Sequence, residues 1–170
     1  MKTSKPLRVL KFSAAGNIFV LVDFRSKETQ GFNGANHTKL AQWLSKEFAT
    51  DGVLFISSAQ ASRLKLHGLK LVFHNPDGSR AFCGNGTRTS GFYQVCFVEK
   101  RKKGKVLVVT DAGSIPVAID NDQAALLEVD PPKILDSCKI NLSSLKQLRT
   151  SHFALRTFYK VWSGCPHAVT

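Results

Sequence analysis

Cys83 stands at the mouth of a glycine-rich turn. His74-Asn75-Pro76-Asp77-Gly78-Ser79 leads through Arg80, Ala81 and Phe82 into Cys83-Gly84-Asn85-Gly86-Thr87-Arg88, and a helix-like apolar run follows. Backbone N–H groups at a helix start are unpaired and carry partial positive charge, so they favour a thiolate and can also bind a substrate carboxylate. Gly84 and Gly86 flank Asn85 and would let the backbone approach a ligand with no side chain in the way. The pattern suits proton abstraction beside a carboxylate. A tight turn holding a buried structural cysteine is the other reading of the same residues.

The elements around this turn are mostly strands. Runs rich in β-branched and aromatic residues predict strands over 8–12, 18–24, 53–56, 69–73, 106–110, 115–119 and 125–129. Gly16-Asn17, Asp77-Gly78, Ala112-Gly113 and Asp120-Asn121-Asp122 punctuate them as turns, so several strands are expected to be antiparallel neighbours. Two helices interrupt the strands. Over 38–48, Leu40, Trp43, Leu44 and Phe48 recur at helical spacing opposite Lys39, Gln42, Ser45 and Lys46, which predicts a surface helix with one buried stripe. Over 87–98, Phe92, Tyr93, Val95, Cys96, Phe97 and Val98 surround the axis and predict a helix enclosed on most sides. A sheet curled round one central helix would enclose it, with Gly91 marking the close approach of a strand.

The chain has 170 residues, 43% of them hydrophobic, enough for one domain or for one domain and the start of another. Pro131-Pro132 ends the strand-rich part, so an N-terminal domain over 1–130 and the incomplete start of a second over 131–170 are expected. No apolar run approaches a bilayer span, and no signal-peptide core follows the first residues, so a cytoplasmic location is the default. Cys83, Cys96, Cys138 and Cys165 form no C-x-x-C pair and predict thiols rather than a disulfide framework. Cys165 and His167 are too sparse to make a metal site.

The formal charge of +12 would suit a nucleic acid. However, the densest basic cluster, Lys100-Arg101-Lys102-Lys103-Gly104-Lys105, falls where a solvated turn belongs and has no interleaved aromatics. Attraction of anionic metabolites is the milder consequence of the charge.

Five segments, taken in order, resemble the diaminopimelate epimerase family. They are Lys11 to Asp23 with Asn17 inside it, Asp51-Gly52-Val53-Leu54, Asn75 to Ser79, Cys83 to Arg88, and Gly164-Cys165-Pro166-His167. The resemblance implies an α+β fold, a curved and mostly antiparallel sheet wrapped round a central helix, with this chain supplying the first of two similar domains and only the start of the second. It implies interconversion of LL- and meso-diaminopimelate, on the route to lysine and peptidoglycan, by two cysteines without cofactor or metal. By position Cys83 matches one catalytic cysteine. Asn17, Asn75, Gly84, Asn85 and Cys165 fall at substrate-binding positions, and His167 matches a histidine near the catalytic pair. A small amino-acid substrate and a homodimer are the implied associations; the lack of an apolar span and of aromatics among the basic residues is what argues against a membrane or nucleic-acid partner. Read as turn residues alone, Asn17 and Asn75 would close local hydrogen bonds.

The chain also departs from that pattern. The second catalytic cysteine, with its glycine-rich motif and preceding Glu-Arg pair, is not in the sequence, so the isolated chain is expected to be a poor epimerase. Cys165 replaces a frequent asparagine, Thr89 a frequent cysteine and Ile18 a frequent aspartate. The spacer between Ser79 and Cys83 is one residue shorter than usual. Another cofactor-independent racemase or isomerase of the same fold, proline racemase-like or phenazine-biosynthesis-like, is the alternative enzyme. A half-protein that binds an amino acid or a partner chain is the alternative outside catalysis.

Overall fold

In the computed structural model the described residues are 6–32, 35–59, 68–121, 124–127, 133–140, 156–162 and 166–169. The chain divides into two compact units, Met1–Val129 and Asp130–Thr170.

The first unit holds one seven-stranded sheet. Its strands run in sequence order as β1 (Leu10–Ala14), β2 (Asn17–Asp23), β3 (Gly52–Ser58), β4 (Gly68–His74), β5 (Gly104–Thr110), β6 (Gly113–Asn121) and β7 (Ala124–Leu127). Neighbours are antiparallel except β2 with β3 and β4 with β5. Those parallel pairs need crossovers, and a helix lies in each: α1 (His37–Phe48) in the first, α2 (Gly84–Phe92) in the second.

Strand alternation sorts the core into two layers. Val20, Val22, Val53 and Phe55 pack with Ala41 and Leu44 of α1. Phe19, Leu21, Leu54 and Ile56, one residue out of phase, pack on the other face with Leu69, Leu71, Phe73, Val95, Val106, Val108, Val117 and Ile119. β2 and β3 are therefore buried on both faces, which is why they read as continuous apolar runs. On that second face α2 packs against β1, β3, β4, β5, β6 and β7, so the sheet curls round it. The expected α+β architecture, a curved and mostly antiparallel sheet round a central helix, is the one observed.

The helix enclosed by the sheet differs in detail from its expected form. Within α2 the buried residues are small or polar, Gly86, Thr87, Thr89, Ser90 and Gly91. Of the six apolar residues expected round the axis, Val95 is fully buried and Phe92, Tyr93 and Cys96 pack against the core, while Phe97 and Val98 are 46% and 45% exposed. The hydroxyls of Thr87, Thr89 and Ser90 each donate at 2.8 Å to the carbonyl four residues back, so they enter the core already satisfied. Small side chains let the strands close in: a Cβ on Gly91 would lie 2.6 Å from Val117 Cγ1, the strand approach expected there. From Tyr93–Val98 the chain continues as a π-helix, whose wider turn rotates Phe97 and Val98 out of the 3.6-residue register.

In α1 the buried stripe is Ala41, Leu44 and Ser45, with Leu40 and Phe48 half-buried and Trp43 55% exposed. The stripe is centred on Ala41 and Leu44, which moves Trp43 off it and Ser45 onto it. Asn36 caps the helix, its side-chain oxygen accepting from Lys39 N–H at 3.1 Å.

The second unit contains a three-stranded antiparallel sheet in the order β10-β9-β8, formed by β8 (Lys133–Ile140), β9 (Arg156–Trp162) and β10 (Pro166–Val169). Among the described residues no helix is long and apolar enough to cross a membrane.

Candidate active site

Cys83 is the N-cap of α2. Its backbone is extended (φ −134°, ψ 109°) and its Sγ accepts the Gly86 N–H at 3.3 Å. The Cys83 carbonyl opens the helical ladder, taking the Thr87 N–H and the Thr87 hydroxyl, each at 2.8 Å. Helix geometry leaves the Gly84 and Asn85 N–H groups without an acceptor inside the helix, and both point out of its positive end. The sulfur is half-buried and fixed beside these donors. Such a setting favours the thiolate and a carboxylate bound next to it.

Asn17 reaches the same helix end by a different route. Ala15 and Gly16 both have positive φ (49° and 87°) and form a two-residue hairpin turn, so Asn17 begins β2 rather than sitting in the turn. Asp51 fixes that strand start. Its carboxylate accepts the Ile18 N–H at 2.7 Å, and its own N–H donates to the Ile18 carbonyl at 2.8 Å. Asn85 then donates its side-chain amide to the Asn17 side-chain oxygen at 2.8 Å, and Arg88 donates to the Asn85 side-chain oxygen. Arg88 lies in the Cys83 to Arg88 segment but received no role from the sequence. The signal available was its spacing of three residues from Asn85 on one helix face.

Asn75 is placed differently. Its amide donates to Ser79 Oγ at 3.0 Å, its N–H donates to the Ser79 carbonyl at 2.8 Å, and its carbonyl accepts Gly78 N–H at 2.9 Å. Asp77 accepts from both the N–H and the hydroxyl of Ser79, at 2.8 and 2.6 Å. Gly78 carries the turn at φ 84°. Gln42 of α1 donates to the Asp77 carbonyl at 2.7 Å and ties the turn to the helix. Every hydrogen bond described for Asn75 is thus local, whereas Asn17, Cys83, Gly84 and Asn85 gather at the head of α2. Cys165 lies outside the described residues, and His167 is on β10 of the second unit.

Several solved structures share this fold. The chain is similar to a hydroxyproline epimerase from Agrobacterium vitis, solved with bound trans-4-hydroxy-L-proline, at 14% identity and TM-score 0.66, covering 99% of this chain and 52% of that one. It is similar to a probable proline racemase from Agrobacterium radiobacter K84 at 14% identity and TM-score 0.67, covering 96% and 51%. A phenazine biosynthesis protein of the PhzF family from Bacillus anthracis matches at 15% identity and TM-score 0.53, covering 91% and 53%. At such identities the likeness shows the fold, and the chain spans about half the length of the structures it matches. No family model matches the chain, and no curated protein matches it.

Proposed function

We propose that this chain carries one half of a cofactor-independent amino-acid racemase or epimerase, with Cys83 acting on one face of the α-carbon. The single observation behind this reading is the Cys83 sulfur capping α2 beside the Gly84 and Asn85 N–H groups. A thiolate there takes the α-proton. The C–H electron pair delocalises into the substrate carboxylate, whose developing charge the helix N–H groups stabilise. A second acid on the opposite face must return a proton for inversion. Diaminopimelate is the substrate favoured by the five motif segments. A cyclic amino acid is the alternative, in keeping with the ligand named for the Agrobacterium vitis structure. The reading outside catalysis is that the chain binds an amino acid or a partner chain without turning it over.

The test is proton exchange in deuterated water followed by NMR, with diaminopimelate, proline and hydroxyproline each as substrate. The chain alone should give negligible inversion. Joined to a second domain bearing an opposing acid, it should invert one substrate and incorporate deuterium. Cys83→Ala in that joined protein should abolish both. Undiminished exchange in the Cys83→Ala protein would sink the proposal.

A further inference from the structure

At the opposite end of α2 from Cys83, about 14 Å of helix away, lies a cavity of about 240 Å³ lined by Arg8, Leu10, Leu21, Asp23, Ser26, Thr29, Tyr93, Phe97 and Lys100. It sits between the first two strands and the π-helical turn, a helix irregularity that recurs at functional sites. Its walls divide by chemistry. Leu10 and Leu21 face each other across β1 and β2 and make one apolar side. Phe97 makes the other. Phe97 stacks on Tyr93 at 6.1 Å and meets Phe12 edge-on at 5.6 Å, which fixes the ring while leaving it nearly half exposed.

The charges within the cavity do not cancel. Asp23 is neutralised by Arg25, which donates to it through Nε at 2.8 Å and through a terminal nitrogen at 2.7 Å. Tyr93 adds its hydroxyl to the same carboxylate at 3.0 Å. Arg8 pairs with exposed Glu28 at 3.1 Å. The Lys100 ammonium has no partner among the described residues. Lys100 also sits at φ 57°, just after the helix end, where glycine is the usual occupant. A lysine held in that backbone conformation carries a local cost that a glycine would avoid.

We propose that this cavity is a second small-molecule site, taking a monocarboxylate with an apolar body of about one ring. Lys100 binds the carboxylate, and Leu10, Leu21 and Phe97 cover the ring. The volume is below that of sites for drug-sized ligands, about 300–1,000 Å³. The site is independent of the proposed isomerase chemistry.

Phenylacetate is the probe, titrated against the 170-residue chain and followed by amide chemical shifts. Saturable binding in the millimolar range is expected, with shifts at Tyr93, Phe97 and Lys100 and an unchanged isotherm in Cys83→Ala. Lys100→Gly keeps the left-handed cap and removes the charge. It should leave thermal stability equal or higher and weaken phenylacetate about tenfold or more. Benzylamine and inorganic phosphate, which lack the carboxylate or the ring, should bind far more weakly. The proposal is overturned if phenylacetate shows no saturable shift at about 10 mM, or if Lys100→Gly binds it as well as wild type. Equal binding of benzylamine or phosphate, or shifts confined to Cys83 and Asn85, would overturn it too.

Discussion

Asn85 donates its side-chain amide to the Asn17 side-chain oxygen at 2.8 Å, joining residues 68 apart in sequence. The bond holds the start of β2 against the first turn of α2, and Arg88 fixes the other end of the Asn85 amide. Asn17→Ala and Asn85→Ala should each lower stability by about 1 kcal/mol, the usual net contribution of one partly buried hydrogen bond. In a double-mutant cycle read by urea unfolding, the two losses should be less than additive by about 0.5–1 kcal/mol. Strict additivity would mean that the pair does not interact in solution.

Two glycines of α2 should respond differently to alanine. A Cβ at Gly91 would meet Val117 Cγ1 at 2.6 Å and Cβ at 2.8 Å, close to the β6 backbone, where little can give. At Gly84 the nearest atom is Leu127 Cδ1 at 3.6 Å, an ordinary contact. Gly91→Ala should therefore cost about 1–3 kcal/mol by overpacking, and Gly84→Ala less than about 0.5 kcal/mol. Adding Val117→Ala to Gly91→Ala should recover part of the loss. If Val117→Ala only adds to the damage, the contact is misassigned.

The strands were legible because their signal is local. Val20 and Val22 face α1 while Phe19 and Leu21 face α2, and a run apolar at every position reports burial on both faces. The enclosed part of α2 was less legible, because Thr87, Thr89 and Ser90 look polar until their hydroxyls are seen bonded to the preceding turn. The π-helical register of Phe97 is set by the packing around it, and no spacing in the sequence announces it. At the candidate site Cys83, Gly84 and Asn85 could be picked out from one segment. The Asn17 contact could not, because it depends on Ala15 taking the left-handed conformation and moving Asn17 into β2.

The Asp23–Arg25 pair should matter more than the exposed ion pairs. Their side chains are only 10% and 20% exposed, and Arg25 also donates to Gln94 at 2.8 Å. Burial pushes the Asp23 carboxyl up, but hydrogen bonds and charge from Arg25 outweigh it and hold it below its ordinary range. Burial, with the adjacent Asp23 charge, pushes the Tyr93 phenol to about 12, so Tyr93 stays a donor at neutral pH. Asp23→Ala strands the Arg25 charge and should cost about 3 kcal/mol. Arg8→Ala and Lys103→Ala, which break the exposed pairs with Glu28 and Asp120, should each cost less than about 1 kcal/mol. Chemical denaturation of the three variants would rank them, and an equal loss at Asp23 and Lys103 would contradict the assignment.

Acid should weaken the fold through His37 and His74. His74 is 2% exposed, its ring packs edge-on to Phe55 at 5.3 Å and to His37 at 6.5 Å, and the His37 ring stacks on Phe24 at 5.1 Å. His37 Nε2 and His74 Nδ1 are buried without a hydrogen-bond partner among the described residues. Burial first, and then the charge of Arg80, lower the pKa of both imidazoles; at His74 the neighbouring His37 lowers it further and Asp111 opposes in part. With folded pKa values below the unfolded value of about 6.5, the unfolded chain takes up protons first as pH falls. Stability should be level with respect to these groups well above pH 6.5 and decline progressively below it. His37→Phe keeps the ring stack and removes one titrating group, so the slope of unfolding free energy between about pH 6.5 and 5 should fall in that variant. A wild-type urea midpoint that does not move over this range, or one whose slope is unchanged by His37→Phe, would show that these imidazoles do not carry the acid sensitivity.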